Sequence, residues 1–211
     1  MSHQYSSRIV RVLRRVLPSK VGLWLGEVDA AMHVRRAPDR VVLTREIFPA
    51  FARTSAFGAG ARVLWIGCRR YTTGYYKVIE AGGAQCWTVD IVPRVSGMGN
   101  RDRHVVGDVL LLGELFPAGS FDAVLCNGVL GWGVNAPDAQ RDACAAMAAV
   151  TKPGGWLLLG WDTDRIPDPV VAGLTSPWFV PTALPGFDAH RPVPGSTHVY
   201  DLFQRNSVSS R

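Results

Sequence analysis

The order of apolar and polar positions changes near Gly58. Beyond it, short apolar runs bounded by glycine, proline or polar residues predict strands, which we place at 62–66, 84–89, 103–106, 121–126, 156–161 and 197–205. Segments of helical character lie between some of these strands, at 73–81, 110–116 and 137–150. The proline-rich stretch 162–196 is expected to be loop.

Alternation of strands and helices is typical of a parallel sheet with helices on both faces, because parallel strands need crossover connections that cover the sheet. We therefore predict an α/β fold with a Rossmann-like, mostly parallel sheet. Ligands of such sheets bind outside the carboxyl ends of the strands. Five residues lie at those ends: Gly67, Asp90, Asp108, Asn127 and Trp161.

Asp90 is the most informative of these positions. It ends the second apolar run of a strand–helix–strand unit whose first run ends at Gly67. A carboxylate at the tip of that strand can accept both hydroxyl hydrogens of a ribose. The sequence therefore predicts a cofactor that contains a nucleoside.

The first 57 residues have a different character. They contain an amphipathic basic helix at 7–17 and a second helix expected at 40–53, with Asp39 as its N-cap. This segment is too short to bury a core alone. We interpret 1–57 as an N-terminal helical cap and 58–211 as the ligand-binding domain.

Composition narrows the class of protein. The chain has 211 residues, is 47% hydrophobic and carries a net charge of +6, with much of the arginine excess in its first 70 residues. No apolar run is long enough to span a membrane. The four cysteines form no CxxC or Cys/His cluster, which favours a reduced, cytoplasmic protein without a structural metal. The basic end could attract nucleic acid, an anionic lipid surface or an anionic substrate, although a solvated helix face is the simpler interpretation.

Several segments, taken in order, carry a family resemblance: 63–68, 89–91, 107–108, 116–127 and 152–158. They resemble the motifs of class I S-adenosylmethionine-dependent methyltransferases, over about residues 60–162. The resemblance implies a methyltransferase with S-adenosyl-L-methionine as cofactor. It also implies a small-molecule acceptor, methylated on oxygen or nitrogen, such as a secondary metabolite or a sugar.

The same resemblance implies which residues contact the cofactor: Gly67, Cys68, Arg69, Tyr71, Asp90, Ile91, Asp108, Val109 and Asn127. Gly67 would let the backbone approach the methionine part. Asp90 would bind the ribose hydroxyls, and Ile91 would pack on the adenine. Asp108 would accept a hydrogen bond from the adenine amino group, and Asn127 would lie beside the sulfonium.

The loop after the first strand departs from the family pattern. It reads Gly-Cys-Arg-Arg-Tyr over 67–71, with one glycine where the family has several, and Trp65 replaces the usual acid of the strand. Either the loop takes another course, or the cofactor sits differently, or binding has been lost. The last case would make the chain a degenerate, methyltransferase-like binding or scaffold protein.

A nicotinamide-dependent oxidoreductase is a further alternative, but it needs a G-x-G-x-x-G loop to bind a pyrophosphate.

Three residues could act as a general base at the acceptor. His33 lies in the cap, Asp162 follows the fifth strand, and His198 begins the last strand. Each also has a structural interpretation: the histidines as core or surface residues, and Asp162 as a cap of the next turn.

The expected partner is a small molecule, possibly anionic, since Arg69 and Arg70 could bind a carboxylate or phosphate. The chain has no RNA-binding module, so we expect no nucleic-acid partner. We expect no stable membrane insertion, no metal, and possibly a homodimer.

Overall fold

The computed structural model describes residues 36–207. The predicted helix at 7–17 and His33 lie outside this range. Within it the strands are β1 (Arg62–Ile66), β2 (Gln85–Asp90), β3 (His104–Val106), β4 (Phe121–Asn127), β5 (Thr151–Asp162), β6 (Phe179–Pro181), β7 (His190–Pro192) and β8 (His198–Arg205). The α-helices are α1 (Pro38–Val42), α2 (Phe48–Ala52), α3 (Thr73–Glu80), α4 (Leu112–Leu115) and α5 (Pro137–Val150).

The strands form one mixed sheet in the order β3-β2-β1-β4-β5-β8-β6, with β7 also paired to β8. Strands β1 to β5 are mutually parallel, whereas β8 runs antiparallel to β5. The predicted Rossmann-like, mostly parallel sheet is thereby confirmed. Strand order reverses between β1 and β4, which is where ligands bind in open α/β sheets.

Two parts of the sequence prediction were wrong. Residues 152–155, which precede the predicted strand 156–161, lie inside β5, and a register shift against β4 accommodates them. The stretch 162–196 is not all loop, because β6 and β7 pair with β8. Each is three residues long and ends in proline. Strands this short leave too little apolar alternation to be seen in the sequence.

Helix α1 continues through a π-helical turn, Leu43–Ile47, into α2. Its N-cap is Ala37 and not Asp39. Pro38 occupies the first turn, where the missing proline N–H is not needed for a helical hydrogen bond. Asp39 therefore lies inside the helix, buried, with Oδ2 3.1 Å from Nε of Arg40.

This helical segment packs directly on the sheet. The Phe48 ring meets Trp65 of β1 edge-on, at 6.4 Å between centroids, and meets Tyr75 of α3 at 5.5 Å. A second apolar cluster lies on the opposite face of the sheet, under α4 and α5. Helices therefore cover both faces, as predicted. The division into a cap (1–57) and a binding domain (58–211) stays a prediction.

Within residues 36–207, no helix combines the length and apolar character needed to cross a bilayer. The same range brings together no group of three or more His, Cys, Asp or Glu side chains suited to a metal ion. All four cysteines are buried free thiols.

Candidate functional site

A cavity of about 420 Å³ opens at the carboxyl ends of β1, β2 and β4. Its size falls in the range of small-molecule and cofactor sites. Most of the predicted cofactor residues line it: Gly67, Arg69, Tyr71, Asp90, Ile91, Asp108, Val109 and Asn127. The reversal of strand order and the predicted residues therefore mark the same place.

The loop after β1 is shaped by hydrogen bonds in place of the missing glycines. Gly67 has a φ of +88°, and its N–H donates to the Val89 carbonyl at 2.8 Å. The Trp65 indole, where the family has an acid, donates to the Gly67 carbonyl at 2.6 Å. The Arg69 N–H donates to Oγ1 of Thr72 at 3.1 Å, which closes a tight turn into α3. The loop thus takes a course that residues with side chains can adopt.

Asp90 is 5% exposed, and protein donors already occupy much of its carboxylate. Oδ2 accepts the Cys68 N–H at 2.7 Å and Nη1 of Arg69 at 3.0 Å, while Oδ1 accepts the Val92 N–H at 2.8 Å. A carboxylate offers about four acceptor positions. A ligand that uses both ribose hydroxyls must therefore displace one of these donors. The Arg69 side chain, 55% exposed, is the one that can leave most easily.

Asp108 faces the same cavity. Its Oδ1 accepts the Leu110 N–H at 3.0 Å and caps the short 3-10 turn Val109–Leu111. Ile91, next to Asp90, is 61% exposed and also lines the cavity. The two carboxylates and the apolar side chain of Ile91 thus line the same end of the cavity.

Cys68 is the exception among the predicted cofactor residues, because it does not line the cavity. Its side chain is fully buried, with Sγ 3.9 Å from Nδ1 of His104. Burial raises the pKa of the thiol, so it stays protonated at neutral pH. Only the Cys68 backbone N–H takes part in shaping the site, through Asp90.

At the other end of the cavity, Asn127 ends β4. Its Nδ2 donates to the Tyr200 hydroxyl at 3.4 Å, and that hydroxyl donates to the Asp39 carbonyl at 3.0 Å. Oδ1 of Asn127 is buried and has no hydrogen-bond partner among the residues described. Asn127 therefore connects the cavity wall to both β8 and α1.

The structure brings Asp162 and His198 together. Nδ1 of His198 lies 2.7 Å from Oδ1 of Asp162, and the indole N–H of Trp132 donates to Oδ2 of Asp162 at 2.7 Å. Burial alone would raise the pKa of Asp162, but the hydrogen bonds from His198 and Trp132 outweigh it and lower the pKa. Trp132 lines the cavity, whereas Asp162 and His198 lie behind that wall.

His198 is 3% exposed, and its Nε2 has no partner within residues 36–207. A Cβ placed on Gly160 would lie 2.8 Å from Nε2 and 2.2 Å from Oδ1 of Asn127. These two unpartnered atoms therefore lie on the same side of Gly160, next to the position that a side chain would occupy. Only a glycine leaves room for them.

Arg40 is a site residue that the sequence did not reveal. It lines the cavity from α1, with its guanidinium carbon 4.9 Å from the centre of the Tyr71 ring. Burial by itself lowers the pKa of Arg40, but Tyr71, Tyr200 and Asp39 raise it overall, so the group stays charged. In the sequence it belongs to a basic region that resembles a solvated helix face.

Comparison with known proteins agrees with this geometry. Residues 64–159 match the model of a family described as a methyltransferase domain. The fold is similar to the N-methyltransferase NodS from Bradyrhizobium japonicum WM9, at 17% identity and a TM-score of 0.60 over 82% of this chain and 99% of that one. Comparison with curated proteins gives no significant match.

Two further solved structures share the fold. One is a 1,6-didemethyltoxoflavin-N1-methyltransferase from Burkholderia thailandensis, with bound 1,6-didemethyltoxoflavin and S-adenosylhomocysteine, at 23% identity and a TM-score of 0.54 over 87% of this chain and 89% of that one. The other is a TehB-like S-adenosylmethionine-dependent methyltransferase from Corynebacterium glutamicum, at 18% identity and a TM-score of 0.57 over 75% of this chain and 88% of that one.

Proposed function

We propose that this chain, whose residues 64–159 match a methyltransferase domain, is a class I S-adenosylmethionine-dependent methyltransferase whose acceptor is a small molecule, methylated on nitrogen or oxygen. S-adenosyl-L-methionine is the cofactor. A secondary metabolite or a sugar is the acceptor class we favour. The observation that carries the proposal is the shared cavity of Asp90 and Asp108, with Asn127 and Trp132 at its far end.

The residues present fit the cofactor. Asp90 and Asp108 can accept hydrogen bonds from ribose hydroxyls and an adenine amino group, and Ile91 offers an exposed apolar surface for a base. At Gly67, an added Cβ would meet no atom nearer than Cγ2 of Val129, 3.5 Å away, so the backbone is open to close approach. When bound, the cofactor supplies an electrophilic methyl group. For both ribose hydroxyls to bind Asp90, Arg69 would have to release Oδ2 of that carboxylate.

The work left to this chain is positioning. Methyl transfer from a sulfonium needs a nucleophile held in line and close to the carbon, and orientation alone can supply several kcal/mol of a barrier. Trp132 offers an aromatic wall for an acceptor, and Asn127 marks the end of β4 where the reacting centre lies.

We further propose that Asp162 and His198 act as positioning residues. Neither lines the cavity, but Asp162 binds the indole N–H of Trp132, and His198 holds Asp162. Direct proton abstraction by Asp162, His198 or His33 stays a prediction from the sequence. A cytoplasmic location is compatible with four free cysteines. The homodimer stays a prediction from the sequence.

Isothermal titration calorimetry with S-adenosylhomocysteine tests the proposal. Asp108→Asn should weaken binding about tenfold, since a hydrogen bond to a charged group contributes about 1.5–3 kcal/mol. Asp90→Ala should weaken it more, because it also frees the loop amides of Cys68 and Val92. The exposed Asp102→Ala is the matched control. No binding heat with either S-adenosylmethionine or S-adenosylhomocysteine would contradict the cofactor site.

A further inference from the structure

Arg40 combines a charge with burial inside the cavity wall. Its side chain is 11% exposed, which is unusual for a cation that faces a ligand site. Nη2 lies 3.4 Å from the Tyr71 hydroxyl, and Nε lies 3.1 Å from Oδ2 of Asp39. A buried charge is costly unless it is paired and hydrogen-bonded.

Among residues 36–207, the Arg40 guanidinium makes few polar contacts: Nη2 with the Tyr71 hydroxyl and Nε with the Asp39 carboxylate. It has five N–H groups in a planar fork, which suits a carboxylate in two parallel hydrogen bonds. Asp39 provides a carboxylate close by, but Nε makes no hydrogen bond of acceptable geometry with any residue described. The Tyr71 contact is long. A charged arginine that lines a cavity and makes so few polar contacts with the described residues is suited to bind an anion there.

The position of Arg40 points to the acceptor end of the cavity. Asp39, its neighbour in α1, is bonded through its carbonyl to Tyr200, and Tyr200 is bonded to Asn127. The positive charge of Arg40 also contributes to the lowered pKa of Asp162. Asn127, Asp162 and Tyr200 belong to β4, β5 and β8, which lie on one side of β1 in the sheet. Asp90 and Asp108 lie on the other side of β1.

In-line displacement requires the acceptor to approach from the side opposite the departing sulfur. If the adenosine lies at Asp90 and Asp108, the acceptor enters near Asn127. Building on the function proposed above, we propose that Arg40 binds an anionic group of the acceptor, of the carboxylate class. The acceptor therefore carries a negative charge beside the ring or chain that meets Trp132.

Beside Asp39, the nearby Tyr200 adds no second negative charge to the surroundings of Arg40. Burial raises the pKa of Tyr200, so this hydroxyl stays neutral and does not compete as an anion. The guanidinium carbon lies 4.9 Å from the centre of the Tyr71 ring, a distance at which the ring attracts the cation. Arginine keeps its charge at every accessible pH. The preference of the site for an anion should therefore not depend on protonation of Arg40.

Two small probes test the inference on the protein saturated with S-adenosylhomocysteine. They are 4-fluorobenzoate and its neutral counterpart 4-fluorobenzamide, observed by fluorine NMR. We expect the wild type to bind the carboxylate at least about tenfold more tightly than the amide, a difference that one charge-assisted pair can supply. Arg40→Gln should reduce this preference to less than about threefold. Arg45→Gln, an exposed change in the same helical segment, should leave it unchanged.

A second measurement distinguishes an acceptor carboxylate from the carboxylate of the cofactor as the anion that Arg40 binds. Arg40→Gln should change the Kd of S-adenosylhomocysteine by less than about threefold, and that of 5′-methylthioadenosine, which lacks a carboxylate, by no more. A tenfold loss confined to S-adenosylhomocysteine would show that Arg40 binds the cofactor's own carboxylate, and would overturn the inference. Equal binding of the two fluorinated probes by the wild type would also overturn it.

Arg40→Lys covers the case in which Arg40→Gln does not fold, which thermal unfolding will show. Lysine keeps the charge but loses the planar fork, so the preference for the carboxylate should fall at least about threefold. An unchanged preference in a folded Arg40→Lys variant would count against the inference. Failure of the proposed function is distinct, because the wild type would then not bind S-adenosylhomocysteine at all.

Discussion

Nδ1 of His198 lies 2.7 Å from Oδ1 of Asp162, and the two residues are direct cross-strand partners in β5 and β8. The other oxygen of Asp162 holds the indole of Trp132. A buried histidine on the last strand is thereby linked to an aromatic side chain in the cavity wall. The pairing depends on the antiparallel register of β8 against β5.

Asp162→Ala should destabilise the protein by about 1–3 kcal/mol, because it leaves a buried imidazole N–H and the Trp132 N–H without their acceptor. Urea unfolding followed by fluorescence measures this, and the Trp132 emission should also shift. Asp164→Ala, an exposed change two residues away, should lie within about 0.5 kcal/mol of the wild type. Equal stability of the two variants would mean that the Asp162 contacts contribute nothing to the fold.

Arg69→Ala should strengthen S-adenosylhomocysteine binding by about two- to fivefold. The half-exposed ion pair with Asp90 contributes about 0.2–1 kcal/mol, and ligand binding no longer has to break it. Calorimetry measures the change, with the exposed Arg94→Ala as a control for net charge. Weaker binding by Arg69→Ala would indicate that Arg69 contacts the ligand directly.

Gly67→Ala and Gly113→Ala should have opposite effects on stability. At Gly67 the φ of +88° makes alanine unfavourable by about 1–2 kcal/mol. Gly113 lies in α4 with no atom within 4 Å of an added Cβ, so alanine there should stabilise by about 0.5–1 kcal/mol. Chemical denaturation compares them. Gly67→Ala should in addition weaken binding of S-adenosylhomocysteine, and normal affinity would show that the loop tolerates a side chain.

Asp201 gives a prediction for pH. Burial raises its pKa above the usual value of 3.8, although Trp161 and His190 hydrogen-bond to it. Because the folded state then holds this proton more tightly than the unfolded state, the free energy of unfolding falls as pH rises from the unfolded pKa through the folded pKa. Asp201→Asn removes this loss, so its stability relative to the wild type should improve from pH 4 to pH 7. Urea unfolding at several pH values tests it, and the exposed Asp188→Asn should show no such trend.

The parallel part of the fold could be predicted because its strands are buried apolar runs with polar residues at their carboxyl ends. That rule also placed Asp90, Asp108 and Asn127 in one cavity. Pairing of β6 and β7 with β8 escaped prediction, since three-residue strands ending in proline have almost no periodicity. Those two strands form because they pair with β8, and their own sequences do not specify a strand.

The acceptor end was harder to predict, because it depends on tertiary contacts. Asp162 and His198 were each identified by position, but their pairing follows only from the register of β5 and β8. Arg40 carries no motif at all. Its burial results from packing of α1 against Tyr71 and Tyr200, which a basic stretch in a sequence does not reveal.

Trp65 changes what controls the shape of the loop after β1. A carboxylate at this position would act on the loop by charge, whereas the indole acts through one hydrogen bond and a ring packed between Phe48 and Tyr75. The loop that meets the ligand is thus anchored in the hydrophobic interior, under the helical segment of residues 38–52. Its geometry should be insensitive to ionic strength but sensitive to a cavity opened at Phe48, a ring that does not line the ligand site.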